Sequence, residues 1–211
     1  MASHESDLLV IGNRGLGGFT GMLMGSVAAA MAHRASCPVV VVRGRANPTG
    51  PVVVGIDGSR ADPVVVAAAF DRAQRVGTSV QAIHAWNAAS PLLPKAHWSA
   101  EASRLENDAR GVLERAIGAM RATYPDVPVE AELVTSSPTT ELVRASSRAS
   151  IVVVGSHGAG ALRGLLAGSV HGVIYHAHCP VEVIRVADAI KEAVYDVEHT
   201  SVPVPAAASV S

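Results

Sequence analysis

Short apolar runs alternate along this chain with longer stretches whose apolar residues recur at three-and-four spacing, a pattern that predicts strands and helices in turn. Between residues 52 and 185 the apolar runs 52–56, 80–85, 129–134, 151–154 and 181–184 predict five strands. Four helices are predicted between them. The first is 61–76, closed by Gly77. The second, 100–124, carries Leu105, Ala109, Val112, Leu113, Ala116 and Met120 at helical spacing and stops at Pro125. The others are 138–149 and 169–176. Strands that are apolar throughout and joined by helical crossovers imply a parallel sheet covered on both faces, so the predicted fold class is α/β. In such sheets ligands bind at the carboxyl ends of strands, where the direction of winding reverses.

The front of the chain repeats the back. Residues 1–43 align with 144–185: Leu8-Leu9-Val10-Ile11-Gly12 matches Ile151-Val152-Val153-Val154-Gly155, and Cys37-Pro38-Val39 matches Cys179-Pro180-Val181. The front copy therefore holds only a strand, a helix and a strand, 8–11 and 39–42 being the strands. The expected organisation is a fragment over 1–43, a linker over 44–51, a complete domain over 52–186 and a mostly disordered tail over 187–211, with one short helical pattern at 188–195. Strand 8–11 has no first strand of its own to pair with, and an apolar open edge is an aggregation hazard, so a cover is expected. Strand 39–42 is expected to add antiparallel to 181–184, placing the two cysteines at opposite ends of the ladder, too far apart to bond.

The chemistry lies in a glycine pattern present in both copies: Gly12, Gly15, Gly25, Ser26 and Gly155, Gly158, Gly168, Ser169. Each follows an apolar strand and leads into a helix. Glycines there allow backbone N–H groups close approach to an anion, and a helix N-terminus favours negative charge, so a phosphate-rich ligand is implied. The chain has only Lys95 and Lys191, neither near a glycine pattern, which excludes a P-loop. No base for activating water and no nucleophile with spaced partners is evident, so binding is favoured over catalysis.

Composition narrows the field. A net charge of −1 with both signs interspersed, and 3% aromatic residues, give neither a basic face nor a stacking platform for nucleic acid. No apolar run approaches bilayer length and the first residues are polar, so no membrane partner and a cytoplasmic location are expected. His171, His176 and His178 lack metal-ligand spacing and read as solvated or packed. His157, inside the glycine loop, has Arg14 as its counterpart, and Arg163 between the glycines reads as solvated or near phosphate. Trp86 and Trp98 read as cover for the core under a long loop. Asp57-Gly58-Ser59 reads either as a turn, with Ser59 and Asp62 forming a capping box, or as a ligand site.

These residues resemble the universal stress protein family: Val53-Val54-Gly55-Ile56-Asp57-Gly58-Ser59 at the front of the complete domain, Val154-Gly155-Ser156-His157-Gly158 and Gly168-Ser169-Val170 at its back, and residues 1–43 as a fragment. The resemblance implies a five-stranded parallel Rossmann-like sandwich of the adenine nucleotide alpha hydrolase-like type, here with an extra N-terminal strand-helix-strand fragment. It also implies tandem duplication, pairing through the last strand either in a homodimer or within the chain, and, with the full glycine pattern, membership of the ATP-binding branch. Asp57 would then bond the nucleoside end of ATP and Ala85 would offer its backbone to adenine. Gly155 and Gly158 would run beside the ribose and α-phosphate. Gly168, Ser169 and Val170 would hold the outer phosphates, with Mg2+ bridging them. One nucleotide site per chain is expected, because the front copy lacks counterparts of Asp57 and Ala85. The function implied is that of a stress-response regulator acting through nucleotide-dependent conformation or partner binding. A slow ATPase or nucleotidyl-transfer enzyme, and a truncated interaction module without nucleotide, are the alternatives.

Overall fold

In the computed structural model the described residues are 6–12, 31, 35–86, 98–156 and 163–185. In chain order they form β1 (Leu9–Gly12), β2 (Val39–Val42), β3 (Val52–Ile56), α1 (Asp62–Val76), β4 (Val80–Trp86), α2 (Trp98–Thr123), β5 (Val129–Thr135), α3 (Pro138–Ser146), β6 (Ile151–Gly155), α4 (Arg163–His176) and β7 (Val181–Ile184). The strands make one sheet in the order β1-β2-β7-β6-β3-β4-β5. Five of them, β7 to β5, run parallel. The fragment's two strands extend the same sheet: β2 lies antiparallel to β7 and β1 lies parallel to β2. The helix predicted between β1 and β2, the helical pattern at 188–195 and the tail fall outside the described residues.

The period of two along each strand sends alternate side chains into two separate layers. Val52, Val54, Ile56, Ile151 and Val153 meet Val65, Val66, Ala69, Phe70 and Ala73 of α1 and Leu113 and Ile117 of α2. Val53, Val152, Val154, Val181 and Val183 meet Leu142 and Ala145 of α3 and Val173 and Ile174 of α4. Residue-by-residue alternation in an all-apolar strand is what two covered faces require. The carboxyl ends of β3 and β6 are neighbours, and the chain winds from β3 toward β4 and β5 before crossing back to β6. The winding reverses there.

Two helix boundaries differ from expectation. α3 stops at Ser146, short of 149, because Ser146 and Ser147 donate their hydroxyls to the carbonyls of Val143 and Arg144 and so draw the chain out of the helix. α4 starts at Arg163, well before the predicted 169. Leu165, Leu166 and Ala167 are good helix formers, and they carry the helix through Gly164 and Gly168 although each glycine costs about 1 kcal/mol against alanine.

The linker is fastened to the sheet. Arg45 N–H donates to His178 C=O at 2.8 Å and Asn47 N–H to Ala149 C=O at 3.1 Å. The Arg43 guanidinium donates to Ile174 C=O in the last turn of α4, where a cation suits the helix dipole. Gly44 has φ +56°, and a Cβ there would lie 1.9 Å from His178 O, so only glycine makes this turn without a backbone shift. Cys37 and Cys179 each precede a strand of the β2–β7 ladder, in which Val39 faces Val183 and Val41 faces Val181; both thiols are free and buried. On the far side of the fragment nothing among the described residues pairs with β1, and Leu8 and Val10 stay exposed.

Candidate functional site

The turn from β3 into α1 is built from carboxylates accepting backbone N–H groups. Asp57 Oδ1 accepts from Ser59 N at 2.9 Å, and Asp62 Oδ1 and Oδ2 accept from Asp57 N at 3.3 Å and Gly58 N at 2.8 Å. Gly58, at φ +79°, supplies the reversal. The expected capping box of Ser59 and Asp62 does not form: the helix begins at Asp62 with Ala61 as its N-cap and no side-chain cap, Asp62 accepts from Asp57 N and Gly58 N instead of Ser59 N, and Ser59 Oγ accepts from Ala61 N at 3.2 Å. The turn and a cavity-lining carboxylate are thus one structure, since Asp57 holds the turn and also lines a cavity.

That cavity, about 140 Å³, opens at the carboxyl ends of β3, β4 and β6, where the winding reverses. Its floor and walls include Gly55 to Asp57, Ile83 to Ala85, and Val154 and Gly155 from the strand ends. Pro138 and Leu142 of α3 and Val170 and Val173 of α4 close one side. Of the residues proposed from sequence, Asp57, Ala85, Gly155 and Val170 line this space together. Gly158, like His157, lies outside the described residues. Gly168 and Ser169 lie inside α4 rather than at its start, so helix geometry commits their N–H groups to carbonyls four residues back, and the free N–H groups of this helix belong to its first turn from Arg163.

His84 and Asp62 also line the cavity, a place the sequence reading gave to neither. His84 is 8% exposed, and its Nδ1 sits 2.8 Å from Ile56 C=O. A carbonyl only accepts, so Nδ1 carries a proton and donates it to Ile56 C=O. A lone imidazole near the carboxyl end of a mostly apolar strand was the available signal. Asp62 is 7% exposed. Burial, then the charge of Asp57, push its carboxyl up to about 7, against the opposing pull of the Asp57 and Gly58 N–H groups. In the sequence it read only as the capping-box partner of Ser59, three residues back. Only the fold shows that its carboxyl turns back to Asp57.

The comparisons decide the family. The sequence profile described as "Universal stress protein family" matches residues 1–43 and 49–185. The chain belongs to the universal stress protein family. A universal stress protein of Mycobacterium tuberculosis is 39% identical over 190 residues, covering 87% of this chain and 63% of that protein. One of Mycolicibacterium smegmatis is 37% identical over 190 residues with the same coverage. This chain therefore spans less than two thirds of the length of these relatives. A solved universal stress protein from Archaeoglobus fulgidus shares the fold at a TM-score of 0.61 and 23% identity, over 89% of this chain and 64% of that one.

Within this universal stress protein the edge of the last strand, β7, is taken by β2 of the same chain. Among the described residues no group of three or more His, Cys, Asp or Glu is placed to hold a metal ion, and no helix is long and apolar enough to cross a membrane.

Proposed function

We propose that this universal stress protein binds one adenine nucleotide, ATP with Mg2+ on its phosphates, in the cavity at the reversal point, and that the bound nucleotide sets conformation or partner binding in a stress response. The observation that carries the reading is the convergence of Asp57, Ala85, Gly155 and Val170 on one open hollow. These residues come from three strand ends and a helix, and no core packing requirement brings a carboxylate to that place.

The residues present fit the group. Asp57 accepts hydroxyl donors such as those of a ribose, and the backbone of Ala85 offers a peptide edge to a base. Pro138, Leu142, Val154 and Val173 supply apolar walls of the kind a flat base occupies. The phosphates would extend past Gly155 and Gly158 toward α4, where helix dipole and N–H groups favour anions. Engagement of Gly168, Ser169 and Val170 would require the first turns of α4 to open. Bound ATP would supply a charged tail that holds those turns in an alternative arrangement, and the chain's contribution is to grip the nucleoside rigidly while the helix end adjusts.

Equilibrium dialysis of the wild type, Asp57→Ala and Gly168→Val against ATP and magnesium tests this. The wild type is expected to retain one nucleotide per chain and both variants to lose at least about tenfold in affinity, about 1.4 kcal/mol, the size of one hydrogen bond. Equal retention by all three proteins would refute the site, and two equivalent nucleotides per chain would refute the stoichiometry.

A further inference from the structure

Leu8, Val10 and Val42 of the front fragment stand where the later copy of the repeat has Ile151, Val153 and Ile184. The later three are buried in one cluster with Val65, Val66 and Phe70 of α1. Leu8, Val10 and Val42 are 41%, 59% and 46% exposed. The same strand chemistry is thus buried in one copy and open to water in the other, and the difference is the helix on top.

The three open side chains share one face of the sheet. In the β1–β2 ladder Val10 pairs with Val40 and Gly12 with Val42, and Leu8 lies two residues before Val10. Among the fragment's described residues the α1 cluster holds only Val40, which sits beside Glu182 of β7. The opposite face is covered: Leu9, Ile11, Val39 and Val41 pack into the layer of α3 and α4, and so does Ala35, which lies just before β2. Apolar strands of this kind need cover on both faces.

The chain itself passes the open face. β7 ends at Ile184, and the antiparallel register sets that end beside Pro38. Leu9 N donates to Pro38 C=O at 2.9 Å, so Leu8 lies close by. In the segment that follows, outside the described residues, Val186, Ile190, Ala193, Val194 and Val197 recur at the spacing of one helical stripe, and Asp188, Glu192 and Asp196 fall on the other side. A helix over 188–198 would be about 16 Å long, against about 13 Å for a four-residue strand. The link 185–187 spans up to about 10 Å, two strand spacings.

We propose that residues 188–198 dock as an amphipathic helix on the open face of β1 and β2, over Leu8, Val10 and Val42, in the part that α1 plays over β6 and β7. The segment leaves β7 at the border of that face and is tethered there, so its docking avoids the translational cost that a second copy would meet. Its acidic stripe then faces water. The docked helix also shields the apolar side chains of the open β1 edge, where strand addition would otherwise threaten.

Backbone NMR of the full chain tests this, comparing the wild type with Ile190→Asp/Val194→Asp and with Val10→Asp. The double variant alters only the segment, and Val10 is already exposed, so neither change burdens the described core. The wild type is expected to show helical carbon shifts over 188–198, with amide exchange there at least about tenfold slower than in an unstructured chain. Both variants are expected to lose these signatures, and the double variant to move the amide signals of Leu8, Val10, Val40 and Val42 while those of β3 and β4 stay in place. Unstructured shifts over 188–198 in the wild type, a helix there that survives Val10→Asp, or β1–β2 amides unmoved by the double variant would each overturn the proposal. A helix that forms only as protein concentration rises, with doubled mass in light scattering, would overturn it in favour of a second copy on this face.

Discussion

Asp62 ties stability to pH. Its carboxyl titrates at about 7 when folded, above the ordinary carboxylate range, so the stability it contributes is complete at acid pH and is lost as pH rises through 7. Thermal unfolding is therefore expected to show Asp62→Asn gaining on the wild type between pH 5 and pH 8; a gap that stays constant across that range would mean the carboxyl is not held protonated. Charge burial also separates two arginines on α1. Arg72 meets Glu182, a carboxylate 6% exposed on β7, at 2.8 Å, whereas Arg75 pairs with Asp71 on the open surface. Denaturant titration should show Arg72→Met costing about 3 kcal/mol by stranding Glu182, and Arg75→Met less than about 1 kcal/mol. Comparable losses would show that Glu182 does not depend on its partner. Asp57 was legible in the sequence because it follows an apolar strand and precedes Gly58. The roles of Asp62 and His84 were not, since each depends on a partner that only the fold brings near.

Strands were the legible elements and helix ends the illegible ones. A run such as Ile151 to Val154 has no other way to bury itself on both faces, so its identity and its place follow from composition. The ends of α3 and α4 depend instead on small competitions: serine hydroxyls against the ladder, and leucines against glycines. α4 carries the consequence for function. Gly168→Ala favours the continuous helix by about 1 kcal/mol. The variant is expected to show slower amide exchange over 163–170 and weaker nucleotide binding, because the proposed phosphate contacts require those amides to be released. Tighter binding in Gly168→Ala would show that the phosphates meet an intact helix. In the linker, Gly44→Ala forces the backbone away from His178 and is expected to lower stability by about 1–3 kcal/mol in denaturant titration. A neutral outcome would mean the linker turn after β2 is not held against His178 as described.

The whole molecule is one sheet whose two edges are unlike. β5 carries Glu130 and Glu132, charges of the kind that discourage strand addition, while β1 leaves Leu8 and Val10 exposed. Between them the edge of β7 is covered by β2, and removing residues 1–43 would bare it. Light scattering is expected to show the shortened chain associating where the full chain does not add partners at that edge; equal masses per chain would mean β2 shields nothing. The antiparallel addition of β2 to β7 was foreseeable because the internal repeat supplies a second apolar last strand with nowhere else to go. The cavity was foreseeable because the order of strands forces a reversal, and Gly155 of the glycine pattern lines it. The account turns on ligand occupying that reversal point, and amide chemical shifts on titration with magnesium ATP report it directly. Shifts concentrated at Asp57, His84, Ala85 and Gly155, saturating at one equivalent, are expected; undisturbed amides at those four residues with nucleotide in excess would contradict it.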